Sequence, residues 1–253
     1  MRLLMAAALV LTTLDASAQP IETVTVVGSN SFVGVWKLSV PGVGAPTQPP
    51  RVRSALDVYC RIEKENNDFY TRCFVFIEGD VRVKDKHIRI TWGPTLVRWS
   101  IDADLQSDTY FSGTVSDRVL VFGGETYPGV VTGTKLSLSE QLPDVGGKSS
   151  LVKTILEQIE QGRLDLPHDL KAIGQNGGQF NGGHFNSDDP LITAKELHPL
   201  GTVQSVNYLG TELNKDIAAP VLFAVYDVEF ENGHRLCGIH QRDDGVIDGF
   251  RCV

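Results

Sequence analysis

The segment from Tyr226 to Cys252 constrains the fold most, because it contains two turn signals and two cysteines. Asn232-Gly233 suits a two-residue hairpin loop, since both central residues of such a loop take positive φ. Asp244-Gly245 has the same chemistry. The segment is therefore predicted to form a three-stranded antiparallel meander.

Counting outward from the two loops predicts the register of the meander. The first loop places Val228 opposite Cys237, and the second places Cys237 opposite Cys252, at a hydrogen-bonded pair of positions about 5.5 Å apart. Strand alternation then separates two faces. The inner face is predicted to carry Tyr226, Val228, Phe230, Cys237, Ile239, Phe250 and Cys252. The other face, predicted to be a solvated polar surface, carries Asp227, Glu229, His240, Arg242 and Arg251.

The chain has four cysteines, and an even number in an exported protein indicates disulfides. A loop centred on Asn66-Asn67 sets Cys60 opposite Cys73, at a non-hydrogen-bonded position where side chains come closest. Of the three possible connectivities, hairpin geometry therefore favours Cys60 with Cys73 and Cys237 with Cys252. A structural role is expected, because the sequence has no Cys-x-x-Cys.

The start of the chain resembles an export signal. Residues 1–18 combine Arg2, an apolar run from Leu3 to Leu11 and the small-residue pattern Ala16-Ser17-Ala18. The run is shorter than the roughly 20 residues of a membrane span. We expect a cleaved signal peptide over 1–18, an N-terminal arm over 19–29, a periplasmic or secreted protein, and no stable membrane insertion after cleavage.

The net charge is −8, and most of the acidic excess lies after residue 145. Nucleic acid and anionic lipid both require a cationic surface, so neither is an expected partner. Solubility is the simpler explanation of the acidity.

Residues 30–141 show repeated short strands separated by turn signals, without helical periodicity. The run from Leu96 to Leu105 alternates most clearly between apolar and polar residues. Such spacing predicts a mainly β fold with an antiparallel barrel or sandwich. The candidate strands are Trp36 to Val40, Val58 to Lys64, Phe69 to Ile77, Val81 to Val83, His87 to Trp92, Leu96 to Leu105, Thr109 to Val115, Val119 to Phe122 and Val131 to Leu138.

The pattern changes after a Pro/Gly-containing linker at 142–149. Apolar residues then recur at three and four positions, which predicts a helix over 150–161 capped by Ser149 or Ser150. A shorter helix is expected at 167–173 and a glycine-rich loop at 177–186. With the meander, these elements predict a small α+β domain over 150–253.

Two resemblances add to this interpretation. Phe32-Val33-Gly34-Val35-Trp36-Lys37 resembles the Gly-x-Trp signature of lipocalin-like barrels. That likeness implies a barrel enclosing a small apolar ligand, with Trp36 closing its base. The alternative is a small barrel filled by its own side chains.

The second resemblance covers residues 150–253. The segments Leu200 to Gly210 and Val225 to Phe230, together with the two turns, look like the NTF2- or cystatin-like accessory domain at the C-terminus of secreted β-lactamase-like and esterase serine hydrolases. The likeness implies helices packed on an antiparallel meander. It does not imply catalysis, because the hydrolase domain is not in this sequence.

The likeness requires a test for a serine nucleophile. Ser150 and Lys153 match Ser-x-x-Lys, but Lys-Thr-Gly is absent, so Ser150 is expected to cap a helix. His184, Asp188 and Asp189 are residue types that bind metals, but their spacing is not diagnostic of a metal site. No catalytic residue, metal or cofactor is therefore assigned.

The sequence thus favours an exported, non-catalytic ligand-binding or protein-interaction module of the cell envelope. One alternative is an accessory subunit that binds a separately encoded hydrolase. Another is an enzyme with its site at the barrel mouth or the domain junction. The candidate residues for that site are Tyr70, His87, Trp92 and His184.

Overall fold

The structure is a computed structural model and describes most of the chain after residue 27. The described residues are 28–40, 56–74, 78–92, 97–119, 125–138, 143–144, 147–161, 197–214, 221–243, 245 and 247–253. They form an antiparallel barrel, a helix and a second antiparallel sheet.

The first eight strands close into a barrel. They are β1 (Gly34–Val40), β2 (Leu56–Glu65), β3 (Asp68–Cys73), β4 (Glu78–Lys84), β5 (His87–Trp92), β6 (Val97–Ser107), β7 (Tyr110–Val119) and β8 (Glu125–Lys135). Each strand pairs with its neighbour in the chain, and β8 pairs with β1. This confirms a mainly β fold, and the barrel is compatible with the lipocalin-like resemblance. The separate strand predicted from Val119 was wrong in its described part, because Val119 is the last residue of β7.

The barrel interior is apolar because alternate residues of each strand point inward. On β6, Ile101, Ala103 and Leu105 are buried as predicted, whereas Asp104 is exposed. The buried cluster consists of Phe32, Trp36, Leu38, Val40, Val58, Cys60, Ile62, Cys73, Ile88, Ile90, Trp92, Ile101, Ala103, Leu105, Phe111, Val115 and Val131.

A 3-10 helix at Ser29–Phe32 closes one end of the barrel. The ring of Trp36 lies 6.4 Å from that of Phe32 and 4.9 Å from that of Phe111. Its indole N–H donates to the Phe32 carbonyl at 2.6 Å, and the Lys135 ammonium lies 5.8 Å from the ring centroid. Trp36 is therefore a core residue, as predicted.

The hairpin of β2 and β3 has the predicted register. Asn66 and Asn67 occupy the loop with φ of 49° and 78°, and Cys60 lies opposite Cys73. The two cysteines form a disulfide with Cα atoms 4.0 Å apart. Tyr59 accepts a hydrogen bond from the backbone N–H one residue beyond Cys73, so the cysteines occupy a non-hydrogen-bonded pair, as predicted.

The second half contains one described α-helix, α1 (Ser149–Glu160), and a 3-10 helix at His198–Leu200. Four strands follow: β9 (Val203–Asn214), β10 (Val221–Phe230), β11 (Gly233–Gln241) and β12 (Ile247–Cys252). Their order is β12-β11-β10-β9. The helix was predicted within one residue, and it packs on the predicted inner face through Val152, Ile155, Leu156 and Ile159.

The predicted serine cap of this helix is wrong. Lys148 occupies the N-cap position without a side-chain hydrogen bond. The Asp144 carboxylate instead accepts from the Ser149 backbone N–H at 2.8 Å and from its hydroxyl at 2.6 Å. The Tyr226 hydroxyl donates to the other carboxylate oxygen at 3.0 Å. The cap is therefore supplied by a residue that precedes the helix. The same carboxylate also binds the sheet.

The register of β10 with β11 differs from the prediction by two residues. Val228 lies opposite Arg235 instead of Cys237, because the turn is centred on Glu231-Asn232 and Gly233 begins the next strand. The backbone N–H groups of the turn donate to carbonyls of the segment before β9 at 2.8 and 2.9 Å, which fixes the position of the turn. A shift of two preserves strand parity, so the predicted inner face is correct.

The second disulfide joins Cys237 and Cys252 as predicted. Its predicted hydrogen-bonding position was wrong, because Leu236 and Val253 exchange the backbone hydrogen bonds and the cysteines occupy the close pair, with Cα atoms 4.0 Å apart. A bulge after His240 accounts for the difference, since it adds a residue between the turn and the disulfide.

Several predictions lie outside the described residues. They are the signal peptide at 1–18, the second helix at 167–173 and the glycine-rich loop at 177–186. Within the ranges given above, no helix is long and apolar enough to span a membrane.

Candidate functional site

The barrel covers the outer face of the second sheet, which makes the junction the most structured candidate site. Strand β2 lies against β9 and β11. An apolar cluster fills the contact, with residues from both parts of the chain. It consists of Val35, Tyr59 and Phe74 from the barrel side and Leu209, Phe223, Val225 and Leu236 from the sheet.

A buried ion pair crosses the junction. The Arg61 guanidinium donates to the Asp227 carboxylate at 2.8 Å, and the Asp227 side chain is 0% exposed. Arg61 also donates to Glu63 at 2.9 Å, and Arg72 donates to the other oxygen of Glu63 at 2.9 Å. The predicted solvated surface was therefore wrong for Asp227, because the barrel covers it and supplies its counter-ion.

His234 lies beside this pair. Its Nδ1 atom is 3.7 Å from the second carboxylate oxygen of Asp227. Both atoms are shielded from solvent, and neither has a hydrogen-bond partner among the described residues. Asp227 is thus flanked by a guanidinium on one side and an imidazole on the other.

A second buried carboxylate acts on the backbone of β2. Glu212 accepts a hydrogen bond from the Tyr59 N–H at 2.9 Å, whereas the Tyr59 carbonyl accepts from the Phe74 N–H at 3.0 Å. Strand β3 ends just before Phe74, so Glu212 occupies the place where a regular ladder would continue. Burial, followed by the nearby Asp57, Tyr208 and Glu212, raises the pKa of the Tyr59 hydroxyl.

Two glycines allow the barrel and the sheet to approach closely. Gly210 has a φ of 140°, and a Cβ there would overlap the Tyr59 hydroxyl. A Cβ at Gly238 would overlap the Phe74 ring. Aromatic side chains of the barrel therefore lie directly on the sheet backbone.

The residues proposed for an enzyme site do not come together. Trp92 points into the barrel, whereas Tyr70 and His87 are on its outside. His87 binds Asp102 at 3.0 Å and Asp104 at 2.9 Å through its two ring nitrogens. His184 lies outside the described residues.

The Ser-x-x-Lys motif shows no nucleophile geometry. The Ser150 hydroxyl donates to the Gly147 carbonyl at 3.5 Å, and the Lys153 ammonium lies 3.9 Å from Glu157. In the part of the chain that is described, no three His, Cys, Asp or Glu residues form a group suited to a metal ion. Asp188 and Asp189 are not in that part.

The other candidate site is the barrel end opposite the 3-10 helix. Val40 ends β1 there, and Trp92 ends β5. Trp92 is 5% exposed and Val40 is 4% exposed, whereas Trp36 at the closed end is 0% exposed. The described residues at this end thus belong to the buried apolar cluster of the barrel, and Trp92 adds an indole ring to it.

The sequence contained one overlooked signal for the junction. Strand β10 reads Val-Leu-Phe-Ala-Val-Tyr-Asp-Val-Glu-Phe, which is nearly continuously apolar. Such a run is typical of a strand buried on both faces. Phe223 and Val225 therefore indicated a partner for the outer face, although nothing local identified the barrel as that partner.

Comparison with known protein families gives no match, and no curated protein matches the chain. The class therefore rests on the fold itself. The chain is a mainly β protein with a closed eight-stranded antiparallel barrel and a helix-backed four-stranded sheet, and its two disulfides indicate an oxidising environment.

Proposed function

We propose that this protein is an exported, non-catalytic binding protein of the cell envelope, whose barrel takes an uncharged apolar ligand. The observation that carries the proposal is the apolar lining of a closed barrel. One end is closed by Phe32, Trp36 and Phe111, so the ligand would contact the end formed by Val40, Val58 and Trp92.

Two features of the chain support the exported location. Two disulfides suit an oxidising compartment, and residues 1–18 resemble a signal peptide. We place the protein in the periplasm or outside the cell. The lipocalin-like resemblance of the first strand supports ligand binding in the same compartment.

The accessory-subunit alternative has less support. A docking subunit of the NTF2- or cystatin-like kind would offer a partner a face of its sheet. Here α1 covers the inner face, and the barrel covers the outer face around Val225 and Asp227.

The test is ligand binding by the purified mature protein. Native mass spectrometry should detect a retained small apolar molecule, and N-phenyl-1-naphthylamine should bind and quench tryptophan fluorescence. Trp92→Ala should weaken the dye at least about tenfold, and Trp92→Phe should weaken it less. Tyr70→Ala is the matched control, because Tyr70 is an exposed aromatic residue on the outside of the barrel. Wild-type protein that retains no molecule and binds no dye would contradict the proposal.

A further inference from the structure

We propose that the C-terminal sheet sets the shape of the barrel interior by positioning β2, with Glu212 as the principal positioning residue. The consequence for ligand choice rests on the function proposed above. The positioning itself does not, because it concerns contacts within the protein.

Strand alternation couples the two surfaces. Tyr59 and Arg61 point from β2 onto the sheet, whereas Val58, Cys60 and Ile62 point into the barrel. Each residue held by the sheet thus lies next to residues that line the interior. A displacement of β2 along the sheet would move the lining with it.

Glu212 acts where the regular pairing of β2 with β3 ends. At Tyr59, β1 still pairs through Lys37, but β3 has ended at Cys73. The Tyr59 N–H, which would point towards β3 in a regular ladder, donates to Glu212 instead. A carboxylate from the sheet therefore completes the edge of the barrel strand at this point.

A second anchor lies two residues along β2. Arg61 is held by Asp227, and the two carboxylates thus fix β2 on either side of Cys60. The disulfide from Cys60 to Cys73 keeps β3 in place beside them. One anchor holds the backbone of β2 and the other holds a side chain of β2. Together they restrict movement of the strand along the sheet.

The experiment compares Glu212→Met, which removes the acceptor, with Glu212→Gln, which keeps a neutral one. Glu229→Met is the matched control, since Glu229 is an exposed acid of β10 bonded to Ser205 rather than to the barrel. Three readouts are measured. They are hydrogen exchange of the Tyr59 amide, methyl NMR shifts of Val58 and Ile62, and the ratio of affinities for N-phenyl-1-naphthylamine and the larger Nile red.

Glu212→Met should speed exchange of the Tyr59 amide at least about tenfold and shift the Val58 and Ile62 methyl signals. It should also change the affinity ratio at least about threefold, which a general loss of stability would not do. Glu212→Gln should change all three readouts in the same direction but less, and it replaces the Met variant if that variant does not fold. Glu229→Met should leave them unchanged.

Unchanged methyl shifts, with or without faster exchange, would overturn the proposal, because the interior would then be independent of Glu212. Shifted methyl signals with an unchanged affinity ratio would overturn its consequence for ligand choice. If the wild type binds neither dye while Glu212→Met shifts the methyl signals, the proposed function fails and the positioning of β2 stands.

Discussion

The guanidinium of Arg61 and the carboxylate of Asp227 meet at 2.8 Å across 166 positions of sequence. Asp227 is fully buried, and 13% of the Arg61 side chain is exposed. Removing two charges from water is costly, so each depends on the other, and Arg61 also pairs with Glu63. The contact between barrel and sheet therefore depends on a polar core as well as an apolar one.

Breaking this pair on one side should destabilise the protein strongly. Asp227→Asn leaves the Arg61 charge without its buried counter-ion, and we expect a loss of about 3–5 kcal/mol in the free energy of unfolding. Denaturant unfolding at pH 7 measures it. Asp57→Asn is the control, because its pair with Lys37 is exposed and should be worth less than about 1 kcal/mol. Equal losses in the two variants would show that the junction is not closed in solution.

The two disulfides should contribute similarly, because they join residues 13 and 15 positions apart. Replacing both cysteines of either bridge with serine should cost about 2–4 kcal/mol in thermal or chemical unfolding. Peptide mapping of unreduced protein should recover Cys60 with Cys73 and Cys237 with Cys252. A peptide linking the barrel to the sheet would contradict the hairpin registers on both sides.

Gly238 should tolerate a side chain poorly. Gly238→Ala places a methyl group against the Phe74 ring, and we expect a loss of about 1–3 kcal/mol. The cost should fall in a Phe74→Leu background, since the ring is what the methyl group meets. Gly28→Ala, where no atom lies within 4 Å of the added carbon, serves as the control. A cost at Gly238 that is independent of residue 74 would rule out this explanation.

Asp144 should make stability depend on pH. Burial alone would raise the pKa of its carboxyl group, but hydrogen bonds from Ser149 and Tyr226 outweigh burial and hold the pKa below its usual value. Its contribution is therefore present above the unfolded pKa of about 4 and is lost as the pH falls through the folded pKa.

The test of this dependence is Asp144→Asn, which cannot ionise. It should be less stable than the wild type at pH 7, by an amount that shrinks as the pH approaches 3. Unfolding free energies at several pH values measure the difference. A constant difference across the range would show that the charge of Asp144 is not what stabilises the helix start and the Tyr226 contact.

Local chemistry made much of the fold predictable. Asn66 and Asn67 take positive φ with little cost, so the first hairpin and its disulfide follow from the loop. The register of the hairpin formed by β10 and β11 differs from the prediction by two residues, because backbone contacts from the segment before β9 hold its turn. Such contacts join distant parts of the chain, and a count from one turn cannot include them.

Of the two candidate sites, the barrel interior was predictable from the sequence and the junction was not. Apolar alternation identified the barrel interior, including Trp36 and the inward residues of β6. The roles of Glu212 and Asp227 were not predictable, because an acidic residue on an outward strand position is exposed unless another part of the chain covers it.

By itself the sequence determined most of the strands, the two disulfide pairings and the inner face of the meander, since these follow from turn chemistry and a side-chain period of two. Only the tertiary structure decided that β2 lies on the outer face of the second sheet. That contact buries Asp227 beside Arg61 and joins Glu212 to the Tyr59 backbone. The physical reason is that burial depends on what covers a surface, and here the covering strand is more than a hundred residues away in the chain.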